Sequence, residues 1–88
     1  MPKVVWKSHI SPGQTEVNLP RGANPVSVDV QNGHLMMWSI VDSAQPKVPL
    51  SIYVAGTGAD LPEHIDRFIG TFLIEGGSLV FHVFTLKQ

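Results

Sequence analysis

The chain has 88 residues, six Lys plus Arg against seven Asp plus Glu, and a formal charge of −1. That length makes one domain, residues 1–88, with a thin core, because a chain of this size buries only about 60% of the surface its unfolded form exposes. With no basic run to follow a phosphate backbone, a nucleic-acid polymer is excluded as a partner; with no cysteine, so are a disulfide staple, a thiolate metal site and a Cys nucleophile.

The opening Met-Pro-Lys-Val-Val-Trp lacks the apolar core of a signal peptide, and no apolar stretch is long enough to span a bilayer. The expectation is a soluble protein of the cytoplasm with no membrane partner. Lys3 to His9 predicts a first strand, stopped at Ser11-Pro12-Gly13. Gln14 to Leu19 alternates, with Thr15, Val17 and Leu19 against Gln14, Glu16 and Asn18, the pattern of a half-buried strand. Pro20 to Pro25 reads as a loop.

Asn32-Gly33 then separates two β-prone runs, Val26 to Gln31 and His34 to Val41. A two-residue type I′ turn needs φ > 0 at both central positions, which Asn-Gly adopts at least cost. The register that follows places Val30 opposite Leu35, Val28 opposite Met37 and Val26 opposite Ser39 on a core face. Gln31 faces His34, Asp29 faces Met36 and Ser27 faces Trp38 on the other, with Ile40 beyond. A row of Met36, Trp38 and Ile40 is unusual on a solvent face, so that face is expected to be covered.

Asp42 to Pro49 reads as a loop and Leu50 to Ala55 as a strand ended by Gly56-Thr57-Gly58. Asp60 as a cap, Pro62 in the first turn and Glu63 three residues after the cap predict a short helical turn reaching Arg67. Gly76-Gly77 divides Phe68 to Glu75 from Ser78 to Leu86 as a second two-residue hairpin. One face then pairs Gly70 with Val83, Phe72 with Phe81 and Ile74 with Leu79. The other pairs Ile69 with Phe84, Thr71 with His82 and Leu73 with Val80. Two apolar faces on one hairpin predict a homo-oligomer, since little chain is left to cover the second. The fold class is therefore all-β, a small antiparallel sandwich or partly open barrel of about seven strands with one short helical turn.

Chemistry is sparser. The four histidines have no metal-ligand spacing, no Ser/His/Asp arrangement surrounds a nucleophile elbow, and no cofactor fingerprint is present. No catalytic or metal-binding set is expected. Gly56-Thr57-Gly58 offers backbone N–H groups to an anion if it forms a concave nest; an ordinary wide turn explains the same residues and is favoured on the residues alone. Trp6, Trp38 and Tyr53 are flat aromatics able to stack on a base, or to pack in a core or interface. Trp38 stands out because its register sets it beside Ser27 rather than among the valines. His82 opposite Thr71 predicts a His–Thr hydrogen bond that satisfies both groups with no further role.

Taken together, Val5-Trp6-Lys7, Pro20-x-Gly22-Ala23, Val28-x-Val30-Gln31, Met37-Trp38 with Val41-Asp42, Val54-x-Gly56-Thr57-Gly58, Ile69-Gly70-Thr71-Phe72 and Gly76-Gly77-x-Leu79-Val80-Phe81-His82-Val83-Phe84 resemble a small β-protein family of phages and prophages. Such proteins are similar in turn to phage anti-CBASS sponges, oligomers that sequester cyclic dinucleotides. That resemblance implies stoichiometric capture of a small nucleotide in the host cytoplasm, without turnover. For such a ligand this chain offers Trp38 and Tyr53 for stacking, the amides of Gly56, Thr57 and Gly58, and Arg67 for a phosphate. The alternative is a small structural or accessory module that binds itself or a host protein.

Overall fold

Alternating side chains and positive-φ turns divide the chain into seven strands, β1 (Val4–His9), β2 (Gly13–Pro20), β3 (Asn24–Gln31), β4 (His34–Val41), β5 (Lys47–Gly56), β6 (Ile65–Ile74) and β7 (Leu79–Leu86). The computed structural model describes residues 2–88. Two antiparallel sheets result, a three-stranded sheet A in the order β1-β4-β3 and a four-stranded sheet B in the order β2-β5-β7-β6. The expected all-β architecture is present, and the barrel is not closed.

The first hairpin has the predicted geometry. Asn32 has φ 52° and Gly33 φ 79°, and Gln31↔His34, Val30↔Leu35, Asp29↔Met36, Val28↔Met37 and Ser27↔Trp38 are rungs of the ladder. The expected Val26–Ser39 pair is replaced by Pro25↔Ser39, with a bulge between Pro25 and Ser27. Val26 is the extra residue, and it turns outward, 45% exposed, instead of joining the core.

The second hairpin keeps its register with a different turn. Thr71↔His82, Phe72↔Phe81, Leu73↔Val80 and Ile74↔Leu79 pair as expected, but Glu75, Gly76 and Gly77 all have positive φ and form a 3-10 turn. A bulge between Phe68 and Gly70 replaces the expected Ile69–Phe84 pair by Phe68↔Phe84. Ile69 packs on the core as a result, while Phe68 faces outward, 53% exposed.

The 3-10 turn is the one helical feature among the described residues, and the helical turn expected up to Arg67 does not form. Ile65 instead opens β6 by pairing with Leu86, and the amide of Lys87 donates to His64 O at 2.8 Å. A helix of one or two turns bears the full nucleation cost for a few hydrogen bonds, whereas β7 offers a complete ladder.

β5 also begins earlier than expected, at Lys47, and runs through Pro49. The amide of Ser51 donates to Gln88 Oε1, away from β2; two residues earlier, Pro49 faces the same way, beyond the last β7 rung at Ile52↔Thr85. A proline without N–H is tolerated there because no ladder partner waits for it.

The two sheets are held by one shared core of Ile10, Leu19, Val28, Met37, Ile52, Val54, Phe72 and Val83, flanked by Trp6, Val17, Ile69 and Phe81. They meet along β3 and β6. A Cβ on Gly70 would lie 3.0 Å from Val28 Cγ2, and Arg67 Nη2 donates to Asn24 Oδ1 at 2.7 Å and to Pro25 O at 2.9 Å. The molecule is a flat slab of 42 × 31 × 15 Å, so each sheet presents a broad outer face.

Candidate functional site

The outer face of sheet B carries a continuous apolar surface. One row crosses all four strands through Phe68, Phe84, Tyr53 and Gln14, joined by the rungs Phe68↔Phe84, Tyr53↔Phe84 and Gln14↔Tyr53. The rings of Phe68 and Phe84 lie 5.5 Å apart and tilted by 56°, a favourable edge-tilted arrangement. The next row holds Thr71, His82 and Ala55, and beyond it Leu73 pairs with Val80. Phe68 is 53% and Leu73 60% exposed, whereas the same strands bury Phe72, Ile52, Val54 and Val83 on the inner side.

His82 sits half-buried in the middle of this face. Its Nε2 lies 2.8 Å from Thr57 Oγ1 and its Nδ1 3.0 Å from Thr71 Oγ1. The expected His–Thr71 bond is therefore present and Thr57 completes a three-residue chain. Each ring nitrogen thus has a hydroxyl partner, and the chain is satisfied without a ligand.

Gly56-Thr57-Gly58 forms a tight turn at the end of β5. Ala59 N–H donates to Gly56 O at 3.1 Å, and Gly58 has φ 89° in the third position, where a type II turn requires it. The Thr57 amide donates to Val80 O at 3.1 Å. One of the three amides proposed for an anion is thus engaged within the sheet, and the ordinary-turn reading accounts for the motif.

The six residues singled out for a ligand do not converge within one chain. Tyr53 and Thr57 share the outer face of sheet B, four residues apart along β5, or about 13 Å. Trp38 lies on the outer face of sheet A, between Lys7 and Ser27 on the adjacent strands. Arg67 pairs with Thr85, four residues along β7 from the Phe81 rung of Gly56, and its guanidinium is bonded across to β3.

The Met36, Trp38 and Ile40 row is covered only in part, and by its own sheet. Lys7 Nζ donates to Gln31 Oε1 at 2.9 Å, spanning the central strand from β1 to β3. Met36 is left 3% exposed and Ile40 36% exposed.

A pocket of about 280 Å³ opens where the β2–β3 turn meets the start of β5, with Leu19, Pro20, Ala23, Val48, Pro49 and Leu50 as its apolar lining and Arg21 and Gln88 as its polar one. Sequence patterning did not find it, because its walls come from segments some 25 to 65 residues apart that only the β2–β5 ladder and the chain end bring together. Phe68 and Phe84 were visible as a two-faced hairpin but not as an aromatic row, since the row exists only once β5 joins β7.

A family model for a domain of unknown function, DUF7352, matches residues 1–88. The chain belongs to the DUF7352 family. No curated protein and no solved structure matches the sequence. Among the described residues, no group of three or more His, Cys, Asp or Glu side chains of this DUF7352 domain is placed to hold a metal ion, and no helix is long and apolar enough to cross a membrane.

Proposed function

We propose that this domain is a homo-oligomeric binding module that works by capture, without catalytic turnover, and that copies meet through the outer face of sheet B. The observation that carries this reading is the cross-strand row of Phe68, Phe84 and Tyr53 together with Leu73, an aromatic and aliphatic surface left open on a slab only 15 Å thick. Removing such a patch from water contributes about 25 cal/mol per Å², and open patches of this kind mark interaction sites. Nothing in the chemistry of the face suggests a reaction: its one imidazole is held between two threonine hydroxyls.

The nucleotide-sequestering reading implied by the phage resemblance is the second one, and the position of the aromatics favours a particular form of it. Trp38 and Tyr53 lie on opposite outer faces, so a pocket using both has to be built between chains. Stacking on each ring supplies about 1–3 kcal/mol per base, with Lys7 beside Trp38 as the nearest cation on that face.

Light scattering of the purified chain at micromolar concentration tests the first reading, with an oligomer expected for the wild type and a monomer for Leu73→Asp. A monomeric wild type overturns it. Calorimetric titration of the oligomer with cyclic dinucleotides and ADP-ribose derivatives tests the second. Binding that Trp38→Ala weakens strongly and Thr57→Val modestly supports capture of a nucleotide. An oligomer that binds none of them leaves the structural or accessory module, which holds itself or a host protein through the same face.

A further inference from the structure

We infer that the outer face of sheet A contains a binding site for a soft monovalent metal ion, copper(I), formed by His9, His34 and Met36. The strand register assembles these residues from two places in the chain. His9 is the rung partner of Met36 across β1 and β4, and His34 precedes Met36 by two residues on β4, so all three share one face. Directly opposite residues of an antiparallel pair have Cβ atoms about 4.5–5.5 Å apart.

The imidazoles already lie close together, with ring centroids 5.4 Å apart and planes at 76°. Two imidazoles bound about 2.0 Å from one metal place their centroids roughly 5.1–5.5 Å apart for angles between tetrahedral and trigonal. The observed spacing falls in that range. Both histidines are exposed, so their rings can turn to direct nitrogen at a shared ion.

The third donor accounts for an oddity of this face. Met36 is 3% exposed although it sits on the outer side of its sheet, with His9 and Asp29 on its flanking rungs and the Lys7–Gln31 hydrogen bond spanning the same strand. Met36 is therefore packed into the face it shares with His9 and His34 rather than carried on a mobile arm. Thioether and imidazole together select copper(I) over hard divalent ions. Met37, the neighbouring thioether, is 0% exposed in the core and out of reach.

Anaerobic competition against bicinchoninate tests the site in the full chain, with silver(I) as a redox-inert probe and the emission of Trp38, two residues from Met36 on the same face, as a second readout. One copper(I) per chain is expected. Met36→Leu, His9→Gln and His34→Gln should each weaken binding by at least the roughly ten- to hundredfold that loss of an outer-shell partner costs a metal site, and His64→Gln should leave it unchanged. Met36→Leu conserves volume, and its melting curve checks that the variant is folded. Failure of the wild type to draw copper(I) from bicinchoninate overturns the site, as does wild-type affinity in folded Met36→Leu.

Discussion

At Gly70 the missing side chain is a packing requirement. Its φ lies outside the left-handed region, but a Cβ there would stand 3.0 Å from Val28 Cγ2, where β6 rests on β3. Gly70→Ala should destabilise the protein by about 1–3 kcal/mol through overpacking, and Val28→Ala in the same chain should recover part of that loss, a coupling that denaturant melts of the two singles and the double measure. Gly33 presents the opposite case. Nothing lies within 4 Å of its Cβ position, yet φ is +79°. Gly33→Val should cost about 1–3 kcal/mol from backbone strain alone, with no neighbouring truncation able to restore it. An unchanged melting temperature for Gly33→Val would contradict the type I′ turn.

Among the elements, the contact between β3 and β6 decides how the two sheets sit on each other. No ladder joins them; Arg67 does, through one guanidinium nitrogen shared by Asn24 Oδ1 and Pro25 O. Pro25 lies beside the β3 bulge, where its carbonyl has turned off the ladder toward Arg67. Arg67→Ala should lower stability by about 1.5–3 kcal/mol, the range for hydrogen bonds to a charged donor, and hydrogen exchange should speed up along β3 and β6 while β5, paired on both sides, stays protected. Equal deprotection of all strands would mean that Arg67 does not act at this corner. The hairpin registers near their turns were legible in sequence because Asn32-Gly33 and Gly76-Gly77 leave few backbone options. The two bulges were hinted at only by the flanking Pro25 and Gly70, residue types common at bulges, and their place in the ladder, with Val26 turned outward and Ile69 inward, was set by strand pairing.

For the whole molecule, thickness is the governing dimension. A slab of 42 × 31 × 15 Å has one core layer and two outer faces of different character. The face of sheet A mixes Lys7, His9, Gln31 and His34 with Val5, Trp38 and Ile40, whereas the face of sheet B gathers Phe68, Tyr53, Leu73 and Phe84 on β5 to β7 with Gln14, Glu16 and Asn18 on β2. Leu73 is already 60% exposed, so Leu73→Asp should leave the fold of the isolated chain intact while preventing assembly. An associating wild type should show a melting temperature that rises with protein concentration, as mass action requires, and the variant should not. A wild-type melting temperature independent of concentration would argue against assembly.

The sequence by itself determined the all-β class, both hairpins, the rungs next to each turn and the presence of two apolar faces on the C-terminal hairpin, because period-2 alternation and positive-φ turns are local properties of the backbone. The tertiary structure alone decided which strands join which sheet, and with that every functional juxtaposition. Trp38 and Tyr53 separate to opposite faces because β4 and β5 enter different sheets. Arg67 becomes a tie between sheets because β6 extends to Ile65 instead of forming a helical turn. His9 meets His34 and Met36 because β1 pairs with β4 across an intervening pair of strands, a contact that no spacing in the sequence encodes.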